Sequence, residues 1–130
     1  MSVLSLLAVG IGAAFGAWLR WWLTTLLNPL LPTLPLGTLA ANLIGGYLVG
    51  LAIAVFENNI HIPIETRLFV ITGFMGGLTT FSSFSAEVVL LLNQRQLAWA
   101  LGTIAAHLGG SLAMTALGLW TVGLFTRSAA

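Results

Sequence analysis

Apolar residues fill four long stretches of the chain, and short polar segments separate them. Val3 to Leu27 is interrupted by one charge, Arg20, and Leu36 to Phe56 by none. Leu68 to Leu92 carries Glu87, and Leu97 to Phe125 has no formal charge but includes His107. A helix needs roughly 20 apolar residues to cross a ~30 Å hydrocarbon core, so every stretch is long enough. None shows the period-two alternation of a membrane β-strand. The pattern predicts an all-α integral membrane protein: one domain, residues 1–130, with helices at about 3–27, 36–56, 68–92 and 97–125.

The connections fit that division. Pro29, Pro32 and Pro35 stop one helix before the next begins. Glu57 to Arg67 is the most polar stretch, with Pro63 near the start of the third helix, and Asn93 to Gln96 reads as a tight polar turn. The first basic residue is Arg20, so no cleavable secretory signal is expected.

Composition narrows the function. Charged residues make up 5% of the 130-residue chain, hydrophobic ones 58%, and mean hydropathy is +1.05. A soluble fold of this size could not hide so much apolar surface, which excludes a water-soluble enzyme. Four scattered arginines and no lysine cannot neutralise a run of phosphates, which excludes a nucleic-acid binder. Catalytic signatures are missing as well: there is no Ser-His-acid set, HExxH or phosphate loop.

The arginines also bear on orientation. With four spans, Arg67 and Arg127 fall on one side, and Arg95 and Arg20 on the other. Lys and Arg near the membrane ends set topology. An even count predicts insertion in both orientations, or else is too small to inform. Small residues at four-residue spacing, Gly12/Gly16, Gly46/Gly50, Gly73/Gly77 and Ala106/Gly110, predict close helix packing.

Polar groups inside the spans need partners, since lipid offers none. The densest cluster runs from Gly73 to Ser85. Its glycines and paired threonines suggest a break in the third helix at Gly76–Thr79, exposing main-chain carbonyls suited to a small hard cation. The alternative is an unbroken helix whose glycines serve packing. Five of the seven residues from Thr79 to Ser85 carry hydroxyls, with Ser82 among the pore candidates. Phe81 and Phe84 share a face, and their positive ring edges plus the nearby hydroxyls of Thr80, Ser83 or Ser85 could contact an anion, or the rings could simply fill the core. His107, Ser111 and Thr115 form one stripe on the fourth helix. Asn42, with Thr38 one turn before it, could donate inward or act as interhelical glue. Glu87 either snorkels to the interface or marks a vestibule or proton relay. Arg20 reads as an interfacial anchor beside Trp18, Trp21 and Trp22.

The run Gly73-Phe74-Met75-Gly76-Gly77-Leu78-Thr79-Thr80-Phe81-Ser82-Ser83-Phe84-Ser85-Ala86-Glu87 closely resembles the signature of the Fluc/CrcB family of fluoride channels. Gly37-Thr38-Leu39-Ala40-Ala41-Asn42, the following Gly45-Gly46 and the early Arg20 resemble further family features. The resemblance implies a passive fluoride-selective channel of the bacterial plasma (inner) membrane, an antiparallel dual-topology homodimer with two pores. It implies pore roles for Phe81, Phe84 and Asn42, a polar track including Ser111 and Thr115, and an acidic residue near a pore end at Glu87. It also implies a structural sodium ion at the dimer interface, held by the main-chain carbonyls of Gly76 and Thr79. His107 departs from the pattern, standing where some relatives are expected to carry tyrosine.

Two other classes compete. A small dual-topology proton-coupled multidrug exporter would need a carboxylate at the centre of helix 1, and Val3 to Leu27 has none. A non-transporting assembly subunit would lack the helix break.

Overall fold

The computed structural model describes residues 1–129, with side chains through Arg127. Ser2 starts the first helix, α1 (Val3–Leu27), its hydroxyl accepting the Ser5 N–H at 3.0 Å. Pro29 cannot continue the donor ladder, and a 3₁₀ turn, Asn28–Leu30, ends the span. Asn28 then works across the turn. Its Oδ1 accepts the N–H groups of Gly37 at 2.8 Å and Thr38 at 3.1 Å, capping α2 (Leu36–Asn58), whose own N-cap is a proline.

The second loop is shorter than the sequence suggests. Helix α2 runs to Asn58, and the third span begins at Ile64, directly after Pro63, rather than at Leu68. Arg67 therefore lies in a helical turn. Its Nη2 donates to the Phe56 and Asn59 carbonyls at 3.1 Å each, its Nε donates to the Ile62 carbonyl at 3.3 Å, and the guanidinium covers the Phe56 ring. The polar stretch that reads as a loop is a clamp on the C-terminal carbonyls of α2.

The third span, Ile64–Asn93, is divided. Helix α3 (residues 64–78) passes through π-helical turns at Leu68–Met75 and closes with Gly76–Leu78. Thr79 (φ −84°, ψ 154°) and Thr80 (φ −149°, ψ 110°) are extended, and α4 (Phe81–Asn93) follows. The break thus falls at Thr79–Thr80, not across Gly76–Thr79. Gly73, Gly76 and Gly77 stay helical, and Gly73 and Gly77 serve close packing. A Cβ on Gly77 would strike the Ala13 carbonyl, and one on Gly73 would lie 2.8 Å from the Val9 carbonyl. The threonines supply the break, because their hydroxyls compete for backbone partners. Thr79 Oγ1 donates to the Met75 carbonyl at 2.8 Å, and Thr80 Oγ1 accepts the Ser83 N–H at 3.1 Å as the N-cap of α4.

The turn after α4 is tight as expected, with Arg95 in the left-handed region at φ 58° and the Gln96 N–H returned to the Leu91 carbonyl at 2.9 Å. The last helix, α5 (residues 97–129), contains a π-helical segment, Ala105–Gly109. Helix α1 packs on α3, α2 runs along α5, and α4 packs on the first turns of α5. All four spans are long and apolar enough to cross a bilayer, and large apolar side chains such as Leu112 and Trp120 face outward. The chain is a multi-pass membrane protein.

The small-residue pairs do the packing predicted for them. Gly12 and Gly16 meet the backbone of α3 at Phe69 and Phe74, Gly50 meets the Thr115 carbonyl, and Gly110 meets the Leu43 side chain. Any Cβ on Gly16 strikes the Phe74 carbonyl and comes within 2.7 Å of the Leu78 amide. Overpacking a close interface typically costs about 1–3 kcal/mol. Gly16→Val is expected to lower the thermal unfolding midpoint in detergent, whereas Gly10→Val, at a site with open space around it, is expected to leave that midpoint unchanged.

Candidate functional site

A cleft of about 290 Å³ opens between α2, the break and α5. Asn42, Thr79, Thr80, His107, Ser111 and Thr115 bring polar groups to it, and Phe81 and Phe84 form an aromatic wall. Neither lysine nor arginine lines it.

Asn42 holds the break open. Its Oδ1 accepts the Thr80 N–H at 2.7 Å, while its Nδ2 donates to the Thr80 carbonyl at 3.1 Å and to His107 Nδ1 at 3.0 Å. One carboxamide thus satisfies both main-chain groups of a residue that has left the helix, which lipid could not do. Both of its N–H groups are engaged in contacts between helices. Lower on the same face, Thr115 Oγ1 donates to the Gly46 carbonyl at 3.0 Å.

The rings are arranged as a series. Phe81 meets Phe84 edge to face, with centroids 5.5 Å apart and planes at 74°, and Phe84 stacks on His107 at 4.7 Å and 26°. Phe81 is 78% exposed, so its ring stands on the open side of the cleft. His107 is 3% exposed and lies in the π-helical segment of α5, a local widening that recurs at functional sites. Behind the ring, His107 Nε2 lies 3.8 Å from Glu87 Oε2, and both atoms are buried without a hydrogen-bond partner.

The cleft gathers seven of the sequence-derived candidates: Asn42, Thr79, Phe81, Phe84, His107, Ser111 and Thr115. Four others lie off it. Thr38 is buried one turn before Asn42, where it accepts from Asn28 Nδ2 at 3.4 Å. Ser82 is exposed, with its hydroxyl 3.3 Å from that of Thr80. Glu87 sits behind His107, half-buried rather than snorkelling outward. Gly76 lies on the exposed side of α3.

Arg20 has a partner that the sequence reading did not name: its Nε donates to the Gly77 carbonyl at 3.1 Å, complementing the C-terminus of α3 at the break. The signal was its place within an otherwise apolar span, which demands an internal partner. Thr80 carries no such signal in the sequence, since the backbone role of an extended residue is not visible in its side-chain type.

The break leaves carbonyls without their helical donors. The donor for Gly76 would be the Thr80 N–H, which is turned to Asn42, and the donor for Thr79 would be the Ser83 N–H, which is turned to Thr80 Oγ1. Two such carbonyls are hard oxygen ligands of the kind a small cation takes. Among the described residues no cluster of three His, Cys, Asp or Glu side chains offers a metal site.

Fold and site together define a polytopic membrane protein with a polar, aromatic-walled cleft at a helix break. Its relatives carry a more particular description. A protein of Nitrosospira multiformis named fluoride-specific ion channel FluC is 63% identical over 122 residues, covering 94% of this chain and 95% of the relative. Proteins of the same name from Dechloromonas aromatica and Pseudomonas putida are 61% identical over 123 residues and 62% over 117, covering 95% and 90% of this chain and 91% and 92% of the relatives. Residues 7–119 match the family described as CrcB-like protein, Camphor Resistance (CrcB), and the chain belongs to that family. Its members are ion channels and not enzymes.

Proposed function

We propose that the chain forms a fluoride-selective channel that gives passive export of cytoplasmic fluoride across the bacterial inner membrane. The observation that carries this reading is the lining of the cleft: phenylalanine rings, hydroxyls and a carboxamide line it without a fixed cation. Conduction requires binding strong enough to replace hydration and weak enough to release the ion. A lysine or arginine at depth would trap fluoride, whereas neutral donors and positive ring edges do not. Relatives more than 60% identical bear the name of fluoride-specific channels.

The exposure of Phe81 and of the cleft mouth supports an antiparallel homodimer in which a second copy covers this face and each dimer has two pores. Ser111, Thr115, Thr38 and Ser82 extend the hydroxyl path on either side of the aromatic pair, with Glu87 near one end. The Gly76 and Thr79 carbonyls of two inverted copies would hold a sodium ion, which would tie the broken helices together.

The test is growth. Bacteria stripped of their own fluoride exporters are expected to grow in fluoride medium when they express this chain. They should fail to grow when the expressed protein carries Phe81→Ile and Phe84→Ile together. Failure of the wild-type protein to rescue growth, although present in the membrane, would contradict the reading.

A further inference from the structure

We propose that Asn42 fixes the tautomer of His107, so that the ring presents Nε2–H as a hydrogen-bond donor beside Glu87, available to an anion in the pathway. The functional half of this inference rests on the channel reading above; the positional half does not.

One group at the site has a hydrogen-bonding role that cannot change. A backbone N–H only donates, so the Asn42 atom facing the Thr80 N–H at 2.7 Å is its oxygen. The other end of the carboxamide is therefore the NH₂ group. It carries two hydrogens and has two neighbours, the Thr80 carbonyl at 3.1 Å and His107 Nδ1 at 3.0 Å. Both neighbours must accept. A carbonyl always can, whereas Nδ1 can only when it carries no proton. In the neutral ring the proton then sits on Nε2, because the hydrogen bond at one ring nitrogen decides the state of the other.

The ring cannot easily escape this assignment. Turning it over would set a C–H against the Asn42 NH₂ and leave a buried donor unpaired, at a site only 3% exposed. The stack on Phe84, with planes at 26°, holds the ring in the plane that makes the Asn42 contact.

The consequence lies on the far side of the ring. Nε2–H points to where Glu87 Oε2 lies at 3.8 Å, too far for a hydrogen bond, and neither atom has another partner. A buried donor without an acceptor is costly and calls for an explanation. A donor held for a transient acceptor supplies one: the small anion uses Nε2–H as it passes from the cleft to the Glu87 end of the path, and Glu87 keeps the tautomer's free end in a polar surround between passages. The opposite tautomer would show the anion a lone pair and repel it. Asn42 is thus a positioning residue for His107, in addition to lining the cleft.

Nitrogen NMR of the ¹⁵N-histidine-labelled full-length protein in lipid bilayers reads the tautomer directly, with His61→Gln leaving His107 as the sole signal. The wild-type ring is expected to show an unprotonated Nδ1 and a protonated Nε2. Asn42→Asp keeps the shape but replaces NH₂ by an acceptor, and is expected to put a proton on Nδ1. Glu87→Gln is expected to leave the wild-type pattern in place. A wild-type ring protonated at Nδ1, an Asn42→Asp protein with unchanged Nδ1, or a switch caused by Glu87→Gln would each overturn the assignment.

Flux separates the donor role. Glutamine reaches the position of Nε2 and asparagine that of Nδ1, so His107→Gln is expected to retain most fluoride flux. His107→Asn should lose about tenfold, as for one hydrogen bond to an ion. The reverse order would overturn the donor role. A wild-type protein with the expected tautomer but no fluoride flux would refute the channel reading and leave the Asn42 assignment standing.

Discussion

Replacing Phe81 and Phe84 together by isoleucine is expected to lower fluoride flux by about one to two orders of magnitude while the protein stays folded. Isoleucine keeps a large apolar side chain in place but removes the positive ring edge. An aromatic edge contact contributes about 0.5–1.5 kcal/mol beyond burial, so the loss of two in a pathway accounts for a change of this size. The geometry argues that the rings do more than fill space. Phe81 is 78% exposed and stands on the open side of the cleft, and it meets Phe84 edge to face at 74°. Fluoride efflux from liposomes, read with an ion electrode, checks the result. Unchanged flux through the double variant would mean that the aromatic wall is not the pathway.

The second large effect is expected from Asn42→Ala. Three hydrogen bonds depend on this side chain, and two of them satisfy the main chain of Thr80. Each buried backbone group left without a partner costs about 1–3 kcal/mol, and the hydrocarbon core offers no water to replace it. The Thr79–Thr80 break should then close toward a continuous helix or lose order. Flux is expected to fall at least about a hundredfold, with a reduced unfolding midpoint in detergent, since a loss of roughly 3 kcal/mol corresponds to such a factor. Thr115→Ala provides the contrast. It removes a single hydrogen bond, to the Gly46 carbonyl, and is expected to cost about 1 kcal/mol. Equal effects of the two substitutions would contradict the role given to Asn42.

The helices were legible in the sequence because their signal is sheer apolar length. The first matches Val3–Leu27 at both ends, and proline punctuation marks its exit. The loop before the third span was read too long because Arg67 looks like a loop charge, while its partners, the Phe56 and Asn59 carbonyls, lie on another element. The break was foreseen but misplaced by the same limit. Glycine signals both flexibility and close approach, and only the nearness of Ala13 and Val9 reveals which one Gly77 and Gly73 serve. The stripe of His107, Ser111 and Thr115 was legible from helical spacing and does reach one cleft. The partners of Asn42, 38 and 65 residues away in sequence, were not, since spacing along one helix says nothing of contacts between helices. The partner of Arg20 is hidden for the same reason: its acceptor, Gly77, is 57 residues distant.

The most direct test of the account is fluoride efflux from liposomes holding the purified wild-type protein, set against chloride efflux from matched liposomes. Rapid fluoride release with negligible chloride release is the predicted result. Retention of fluoride by liposomes containing folded protein, or equal release of both anions, would contradict it.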